Sequence, residues 1–270
     1  MRELKPQFLL LGMMIVATTA WAAKTETGFL NRTVVVGKTT YRYQVYVPAH
    51  WNKNQTWPII LFLHGAGERG EDGFMQTDVG IGTAIRTRNE RFPAIVVMPQ
   101  CRKNVWWTSP DMEAQALKAL EQSTKEFHGD SRRTYLTGLS MGGYGTWAIA
   151  GKYPNKFAAI APICGGIRIP ERLRNLPGMP VQPEGVDVYA EAAKKLGPIP
   201  TWIFHGDKDP AVPVEESRKM AEALKAAGGH YKYTEYPGVQ HNSWDKAYAE
   251  PEFVTWLLAQ TFGAKPPAKK

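Results

Sequence analysis

The chain has 270 residues, of which 43% are hydrophobic and 21% are charged. This length and composition suit one large folded α/β domain and argue against a disordered chain. The formal net charge of +8 is not organised into a basic stripe interleaved with aromatic residues, so a nucleic-acid partner is not expected. A solvated basic surface explains the charge, and attraction to an anionic envelope surface or an acidic substrate is the alternative.

The first 22 residues differ in pattern from the rest of the chain. Charges in residues 1–5 are followed by an apolar run over 8–20, and Ala20-Trp21-Ala22 places small residues where signal peptidase requires them. The run is shorter than the roughly 20 residues of a membrane span, and a buried N-terminal helix is the alternative. The pattern predicts a cleaved signal peptide, a mature start near Ala23, a periplasmic or secreted location and no stable membrane insertion.

The patterns after the first 22 residues predict β-strands. Residues 27–48 alternate between apolar and polar side chains around Gly37 and Lys38, which predicts a β-hairpin. From residue 58 onward, short apolar runs are separated by segments with helical periodicity. Runs that are apolar on both faces predict buried parallel strands covered by helices. The predicted strands after the hairpin are residues 59–63, 94–98, 134–137, 157–163, 201–204 and 231–236.

Helices are predicted between these strands, and together they define an α/β fold with an eight-stranded, mostly parallel sheet. The connection over residues 167–200, after the sixth strand, contains six prolines and is longer than its neighbours. Loops longer than about 15 residues are usually functional or disordered, so we expect a lid-like insertion within a catalytic domain over 23–264. Residues 265–270 predict a flexible basic tail. The predicted helices are 111–127, 141–152, 188–196, 214–227 and 251–261.

A serine motif is the first indication of a catalytic residue. Gly138-Leu139-Ser140-Met141-Gly142 matches G-x-S-x-G and lies between a predicted buried strand and a predicted helix. In that context the motif forms a turn so tight that the serine takes a strained backbone conformation and presents its hydroxyl group. The flanking glycines prevent a steric collision, and the helix N-terminus favours negative charge. The motif predicts Ser140 as a nucleophile, and a glycine-rich helix start without chemistry is the alternative.

A serine nucleophile needs a base to remove its proton and an acid to orient that base. With this type of turn the partners follow in the order serine, acid, histidine, on loops at the C-terminal edge of the sheet. Of six histidines, His241 alone meets these constraints, since it lies beyond the C-terminal end of the last predicted strand. The loop after residues 201–204 offers both Asp207 and Asp209 as the acid, and Asp245 falls out of order.

Other candidate residues flank the serine. The developing oxyanion requires backbone N–H donors, and we expect these from Met141 and from Ala66 in the glycine-rich loop His64 to Gly70. Trp106 and Trp107 suit a platform for sugars, aryl groups or acyl chains, although packing beneath the loop explains them equally. The sequence contains no metal-ligand spacing and no dinucleotide-binding motif, so no metal and no cofactor is implied.

Four segments resemble a known family: HGAGERG at 64–70, GLSMGGYGTW at 138–147, GDKDPAVP at 206–213 and HNSW at 241–244. They are similar to bacterial secreted esterases of the phospholipase/carboxylesterase and polyhydroxybutyrate-depolymerase-like group in the α/β-hydrolase superfamily. Some members of that group are labelled predicted peptidases. The resemblance covers residues 40–262 and implies that Asp209 is the acid. It further implies a serine-dependent carboxylic-ester hydrolase with an acyl-enzyme on Ser140.

Two alternatives to ester hydrolysis follow from the same residues. One is a serine peptidase of the prolyl-oligopeptidase-like type, for which the sequence shows no obvious peptide anchor. The other is a catalytically inactive hydrolase-fold binding protein, and such proteins typically lose the serine or the histidine that this chain retains. The expected partner is a small-molecule or polymer-linked ester, and no obligate protein partner is evident from the sequence.

The two cysteines would meet an oxidising compartment after export. Cys101 follows the fourth predicted strand and Cys164 ends the sixth. In the usual strand order of this fold two strands lie between them, a separation of roughly 14 Å, whereas a disulfide tolerates only about 7 Å between Cα atoms. We therefore predict two free thiols, unless the loop after Pro99 folds back over the sheet edge.

Overall fold

A single sheet of eight strands organises the described part of the chain. The computed structural model describes residues 26–169, 171 and 185–263. The strand order is β1-β2-β4-β3-β5-β6-β7-β8, with β1 and β2 antiparallel and β3 to β8 parallel. This arrangement confirms the predicted eight-stranded, mostly parallel sheet. The strands are β1 (Gly28–Val36), β2 (Thr39–Val47), β3 (Trp57–Leu63), β4 (Ile95–Pro99), β5 (Gly129–Leu139), β6 (Ala159–Ile163), β7 (Thr201–Gly206) and β8 (Tyr231–Tyr236).

Helices cover both faces of the sheet. Side chains of α2, α3, α4 and α5 join the apolar cluster on one face, and those of α1, α6 and α7 join the cluster on the other. Because both faces are covered, the central strand β3 is buried at every position. The helices are α1 (Ile81–Thr87), α2 (Pro110–Glu126), α3 (Met141–Lys152), α4 (Val188–Leu196), α5 (Glu215–Ala226), α6 (Trp244–Ala249) and α7 (Phe253–Leu258).

Prediction and structure differ at the short helices and at the start of β5. Helices α1, of seven residues, and α6, of six residues, were not predicted from the sequence. Neither is long enough to repeat a 3.6-residue pattern. Strand β5 begins at Gly129, five residues before the predicted start at 134. The helix predicted over 251–261 is confined to Phe253–Leu258. Among the described residues, 3-10 turns lie at Ala66–Glu68, Met75–Thr77 and Asn89–Arg91.

Three predicted segments lie wholly or partly outside the described residues. The signal peptide (1–22) and the basic tail (265–270) are outside them, as is much of the 167–200 insertion. The described part of the insertion includes α4, which has the predicted bounds and packs against α3 and α5. Within residues 26–169, 171 and 185–263, every helix is too short or too polar to cross a bilayer.

Both cysteines are buried and neither forms a disulfide. Strands β3 and β5 separate β4, which precedes Cys101, from β6, which precedes Cys164. This is the strand order on which the prediction of two free thiols was based. Burial raises the pKa of the Cys101 thiol to about 12 and holds that of Cys164 well above its usual range, so both are protonated and unreactive.

We expect two free thiols per chain in protein purified from an oxidising compartment. The measurement is a thiol titration in denaturant without reductant, because the buried sulfurs must be exposed to the reagent. A sample reduced beforehand provides the control and should give the same count. A monomer with no titratable thiol would contradict the arrangement, since it would require Cys101 and Cys164 to approach each other across two strands.

Candidate active site

The turn between β5 and α3 holds Ser140 in a strained conformation. Its φ is 52° and its ψ is −117°, a backbone conformation that residues other than glycine rarely adopt. A Cβ atom at Gly142 would collide with the carbonyl oxygen of Leu63, and one at Gly138 would collide with that of Gly142. The Ser140 N–H donates to the Ile163 carbonyl at 2.9 Å. The two glycines therefore let the turn approach the end of β3 closely.

Three predicted side chains meet at the C-terminal edge of the sheet. His241, after β8, places Nε2 at 2.9 Å from the Ser140 hydroxyl oxygen and Nδ1 at 2.7 Å from Oδ2 of Asp209, after β7. Because Nδ1 faces a carboxylate it carries the hydrogen, which leaves Nε2 to accept a proton from Ser140. The Asp209 side chain is fully buried and that of His241 is 25% exposed. A continuous hydrogen-bonded chain thus runs from carboxylate to hydroxyl.

The Asp209 carboxylate is fully engaged. One oxygen accepts the N–H groups of Ala211 and Val212 at 2.8 and 2.9 Å. The other accepts His241 and, at 3.2 Å, Nε2 of His205. Burial opposes ionisation, but the hydrogen bonds from His205, His241 and Val212 outweigh it and hold the pKa of Asp209 well below its usual range. The carboxylate is therefore negative at neutral pH and suited to stabilise an imidazolium.

The two competing acids lie elsewhere. Asp207 accepts the Gly238 N–H at 2.7 Å, which stabilises the turn after β8. Asp245 accepts the side-chain amide of Asn242 at 3.1 Å at the start of α6. Of the three candidate aspartates, the structure brings Asp209 into contact with His241.

The glycine-rich loop passes beside Ser140. A Cβ atom at Gly65 would lie 3.6 Å from the Ser140 Cβ, and Ala66 starts the 3-10 turn that follows. His64 supports this loop from below, because its Nδ1 hydrogen donates to the Gly65 carbonyl at 2.6 Å and its Nε2 accepts the Cys101 N–H at 2.9 Å. Burial lowers the pKa of His64 to about 4, so the ring is neutral near pH 7. A neutral imidazole with both nitrogens paired fixes the loop next to the serine.

The two tryptophans are both buried, and Trp107 packs against His64 in this loop. Trp107 is completely buried and donates its indole N–H to the His64 carbonyl at 2.9 Å. Trp106 is 6% exposed and contacts Tyr144 edge-to-face, with ring centroids 5.7 Å apart. For Trp107 this arrangement favours the packing alternative, since none of its surface is open to a substrate.

Several contacts at the site escaped the sequence analysis. Glu216, in the first turn of α5, accepts the N–H groups of Ile167 and Arg168, both at 2.9 Å, and the Tyr189 hydroxyl at 2.8 Å. It thereby fastens the start of the 167–200 insertion to α4. Nothing in its local pattern separates Glu216 from other acidic residues at helix starts. His205 had a usable signal, because it precedes Asp209 by four residues at the buried end of β7.

Cys164, Asp209 and His241 place ligand-type atoms within 4.8 Å of one another. The hydrogen bond of 2.7 Å between Asp209 and His241 leaves no room for an ion between them. Burial keeps the Cys164 thiol protonated by raising its pKa, and a metal would need the thiolate. The donor set therefore fits proton transfer between hydrogen-bonded groups better than metal binding.

The sheet order and the strained serine turn between β5 and α3 define an α/β-hydrolase fold. Residues 36–250 match the sequence model of the esterase family described as "Putative esterase". The chain belongs to this family.

Relatives and solved structures agree with that assignment. A bifunctional acetylxylan esterase/xylanase from Neocallimastix patriciarum is 27% identical over 168 residues, which cover 61% of this chain and 21% of that protein. The poly(3-hydroxyalkanoate) depolymerase C of Paucimonas lemoignei is 44% identical over 120 residues, 40% of this chain and 28% of that protein. A thermostable esterase structure has a TM-score of 0.73 at 32% identity, covering 86% of this chain and 63% of that one. The chain thus spans less than a third of the length of these two curated relatives.

The neutral, buried His64 predicts a loss of stability on mild acidification. Its pKa of about 4 lies below the 6.5 of a free imidazole, so the unfolded chain takes up a proton first as the pH falls. The stability that the neutral His64 ring contributes is fully present above about pH 6.5 and is lost as the pH approaches 4. A pKa difference of that size between the folded and the unfolded chain corresponds to about 3 kcal/mol of unfolding free energy. Urea unfolding between about pH 7 and pH 4.5 measures the change.

The matched comparison is between His64→Gln and His50→Gln, since His50 is exposed. Other groups also titrate over this range, so the informative quantity is the difference in slope from the wild type. We expect a shallower pH dependence in His64→Gln and an unchanged one in His50→Gln. Equal slopes in all three proteins would mean that His64 is not neutral and buried.

Proposed function

We propose that this protein is a serine-dependent carboxylic-ester hydrolase that works through an acyl-enzyme on Ser140. The observation that carries the proposal is the hydrogen-bonded chain from Asp209 through His241 to Ser140, with distances of 2.7 and 2.9 Å. Membership of the esterase family supports an ester as the substrate. A buried, ionised acid, a partly exposed base and a hydroxyl on a strained turn are the groups that acyl transfer requires.

The first half of the proposed reaction forms the acyl-enzyme. His241 Nε2 removes the hydroxyl proton of Ser140 as the oxygen attacks the ester carbonyl carbon. The N–H groups of Ala66 and Met141 stabilise the resulting oxyanion, aided by the N-terminus of α3. His241 then protonates the leaving alcohol oxygen as its bond to the acyl carbon breaks. Asp209 stays ionised throughout and stabilises the imidazolium.

The second half regenerates the enzyme. A water molecule attacks the acyl carbon while His241 removes its proton, and collapse of the intermediate returns that proton to the Ser140 oxygen. The products are a carboxylic acid and the free enzyme. Because His64 is neutral and hydrogen-bonded on both sides, the glycine-rich loop is already in place before substrate arrives, which lowers the cost of reorganisation.

The class of ester and the location of the enzyme are part of the same proposal. Relatives named for acetylxylan and for poly(3-hydroxyalkanoate) support a small or polymer-linked ester as substrate. The pattern of residues 1–22 supports export to the periplasm or beyond. The 167–200 insertion is proposed as a wall or lid of the substrate site. The hydrogen bonds from the Ile167 and Arg168 N–H groups to Glu216 support a fixed position for its first residues.

We expect Ser140→Ala and His241→Ala to lower the turnover of p-nitrophenyl esters by roughly 10³-fold or more, because each removes a group that bonds to or transfers a proton in the reaction. Esters of increasing acyl length, a feruloyl ester, an acetylated xylan and an aminoacyl anilide form the substrate panel. Thermal unfolding shows whether each variant is folded. Near-normal ester turnover in either folded variant would refute the proposal, and faster cleavage of the anilide than of the matching ester would indicate a peptidase.

Two asparagine substitutions in one loop test which aspartate is the acid that orients His241. Asp209→Asn removes the charge that stabilises the imidazolium, and we expect kcat to fall by at least about tenfold. Asp207→Asn makes the same chemical change two residues away, where the side chain only caps the Gly238 N–H. Its kcat should stay near that of the wild type. A larger loss in Asp207→Asn than in Asp209→Asn would reverse the assignment of the acid.

A further inference from the structure

A second histidine contacts the Asp209 carboxylate. His205 is the second-last residue of β7, just before the loop, and its side chain is completely buried. Its Nε2 is 3.2 Å from Oδ2 of Asp209 and 3.0 Å from the Val212 carbonyl oxygen. A carbonyl and an ionised carboxylate only accept hydrogen bonds, so Nε2 must carry a hydrogen. The single Nε2 hydrogen is therefore shared between the Val212 carbonyl oxygen and the Asp209 oxygen that faces His241.

The other ring nitrogen of His205 is held by α5. Its Nδ1 lies 2.7 Å from the Ser217 hydroxyl oxygen, and Ser217 is itself buried. This contact fixes the plane of the ring and hence the direction of the Nε2 hydrogen. Both nitrogens are occupied and the ring is closed to solvent, so His205 is not placed to exchange protons with a substrate.

The contacts of Asp209 show what His205 adds. The structure gives this carboxylate four hydrogen bonds, of which one goes to His241. The N–H groups of Ala211 and Val212 hold Oδ1. Among the described residues, His205 provides the remaining contact and is the one besides His241 that reaches Oδ2. Rotation about the Cβ–Cγ bond would move Oδ2 away from His241, and it is opposed at Oδ1 by the two N–H groups and at Oδ2 by His205.

We propose that His205 is a positioning residue, which holds Oδ2 of Asp209 in line with Nδ1 of His241 and is itself oriented by Ser217. The inference rests on the proposed function, since the alignment matters only if His241 acts on Ser140. It extends the hydrogen-bonded chain by two residues, from Ser217 through His205 to Asp209. Positioning of this kind affects the rate of proton transfer and leaves substrate binding largely unchanged.

Two substitutions of His205 separate hydrogen bonding from packing. His205→Phe keeps a ring in the buried site but removes the donor, and we expect kcat to fall by about tenfold to a hundredfold with KM changed by less than about twofold. His205→Gln offers an amide N–H near the former Nε2 and should recover part of that loss. Equal activity of His205→Phe and wild type would overturn the inference, as would a loss confined to KM.

The double variant with Asp209→Ala decides whether His205 acts through Asp209. If it does, His205→Phe causes no further loss of kcat in the Asp209→Ala background. Losses that multiply would show that His205 acts by packing alone and would overturn the inference. Ser217→Ala is the companion variant in case His205→Phe does not fold, and we expect a loss of kcat in the same direction but smaller. An unchanged kcat in Ser217→Ala would show that Ser217 does not orient His205.

Failure of the proposed function is distinguishable from failure of this inference. Wild type and Ser140→Ala are assayed first with the same ester. A wild type without ester turnover, or a Ser140→Ala variant that retains it, would remove the proposed function and the inference together. Turnover that depends on Ser140 but is unaffected by His205→Phe would overturn the inference alone.

Discussion

The site depends on the close approach of the β5–α3 turn to the end of β3. At Gly142 the backbone lies so near the Leu63 carbonyl oxygen that no side chain fits between them. This contact keeps the turn tight, and the tight turn forces Ser140 to a φ of 52°. The strain costs on the order of 1–3 kcal/mol and is sustained by the buried strands around it. Since β3, β5, β7 and β8 run parallel, the loops after them meet at this same edge.

Burial gives the neighbouring polar groups fixed protonation states. Asp209 is ionised although buried, because its hydrogen bonds outweigh the loss of solvation. His64 is neutral because burial disfavours its charge and its two nitrogens already have partners. The Asp209 carboxylate thus keeps a negative charge next to His241, and the His64 ring fixes a backbone loop beside Ser140. Groups fixed before substrate binds need little reorganisation during a reaction.

How much the sequence predicts depends on the range of each interaction. The tight turn at Ser140 was predictable because the glycine spacing and the strand-to-helix change are local, and the position of His241 beside it because chain order leaves one candidate. Asp207 and Asp209 share a loop, and only its folding, with the Ala211 and Val212 N–H groups on Asp209, separates them. Contacts between residues far apart in the chain, such as Glu216 with Ile167, leave no periodic signal. The polar start of β5 was missed because its side chains are half-buried or exposed and form no apolar run, and because only Gly129 there pairs with β3, through Trp57.

The most direct test of the central claim is to label the nucleophile. The protein is incubated with a fluorophosphonate that mimics an ester, digested with trypsin, and analysed by mass spectrometry. We expect one adduct per chain, on Ser140 within the tryptic peptide Thr134 to Lys152, with loss of ester turnover in proportion to labelling. Pre-incubation with a slow ester substrate should protect the site. Complete inhibition with the adduct on another residue, or full activity in protein labelled at Ser140, would contradict an acyl-enzyme on this serine.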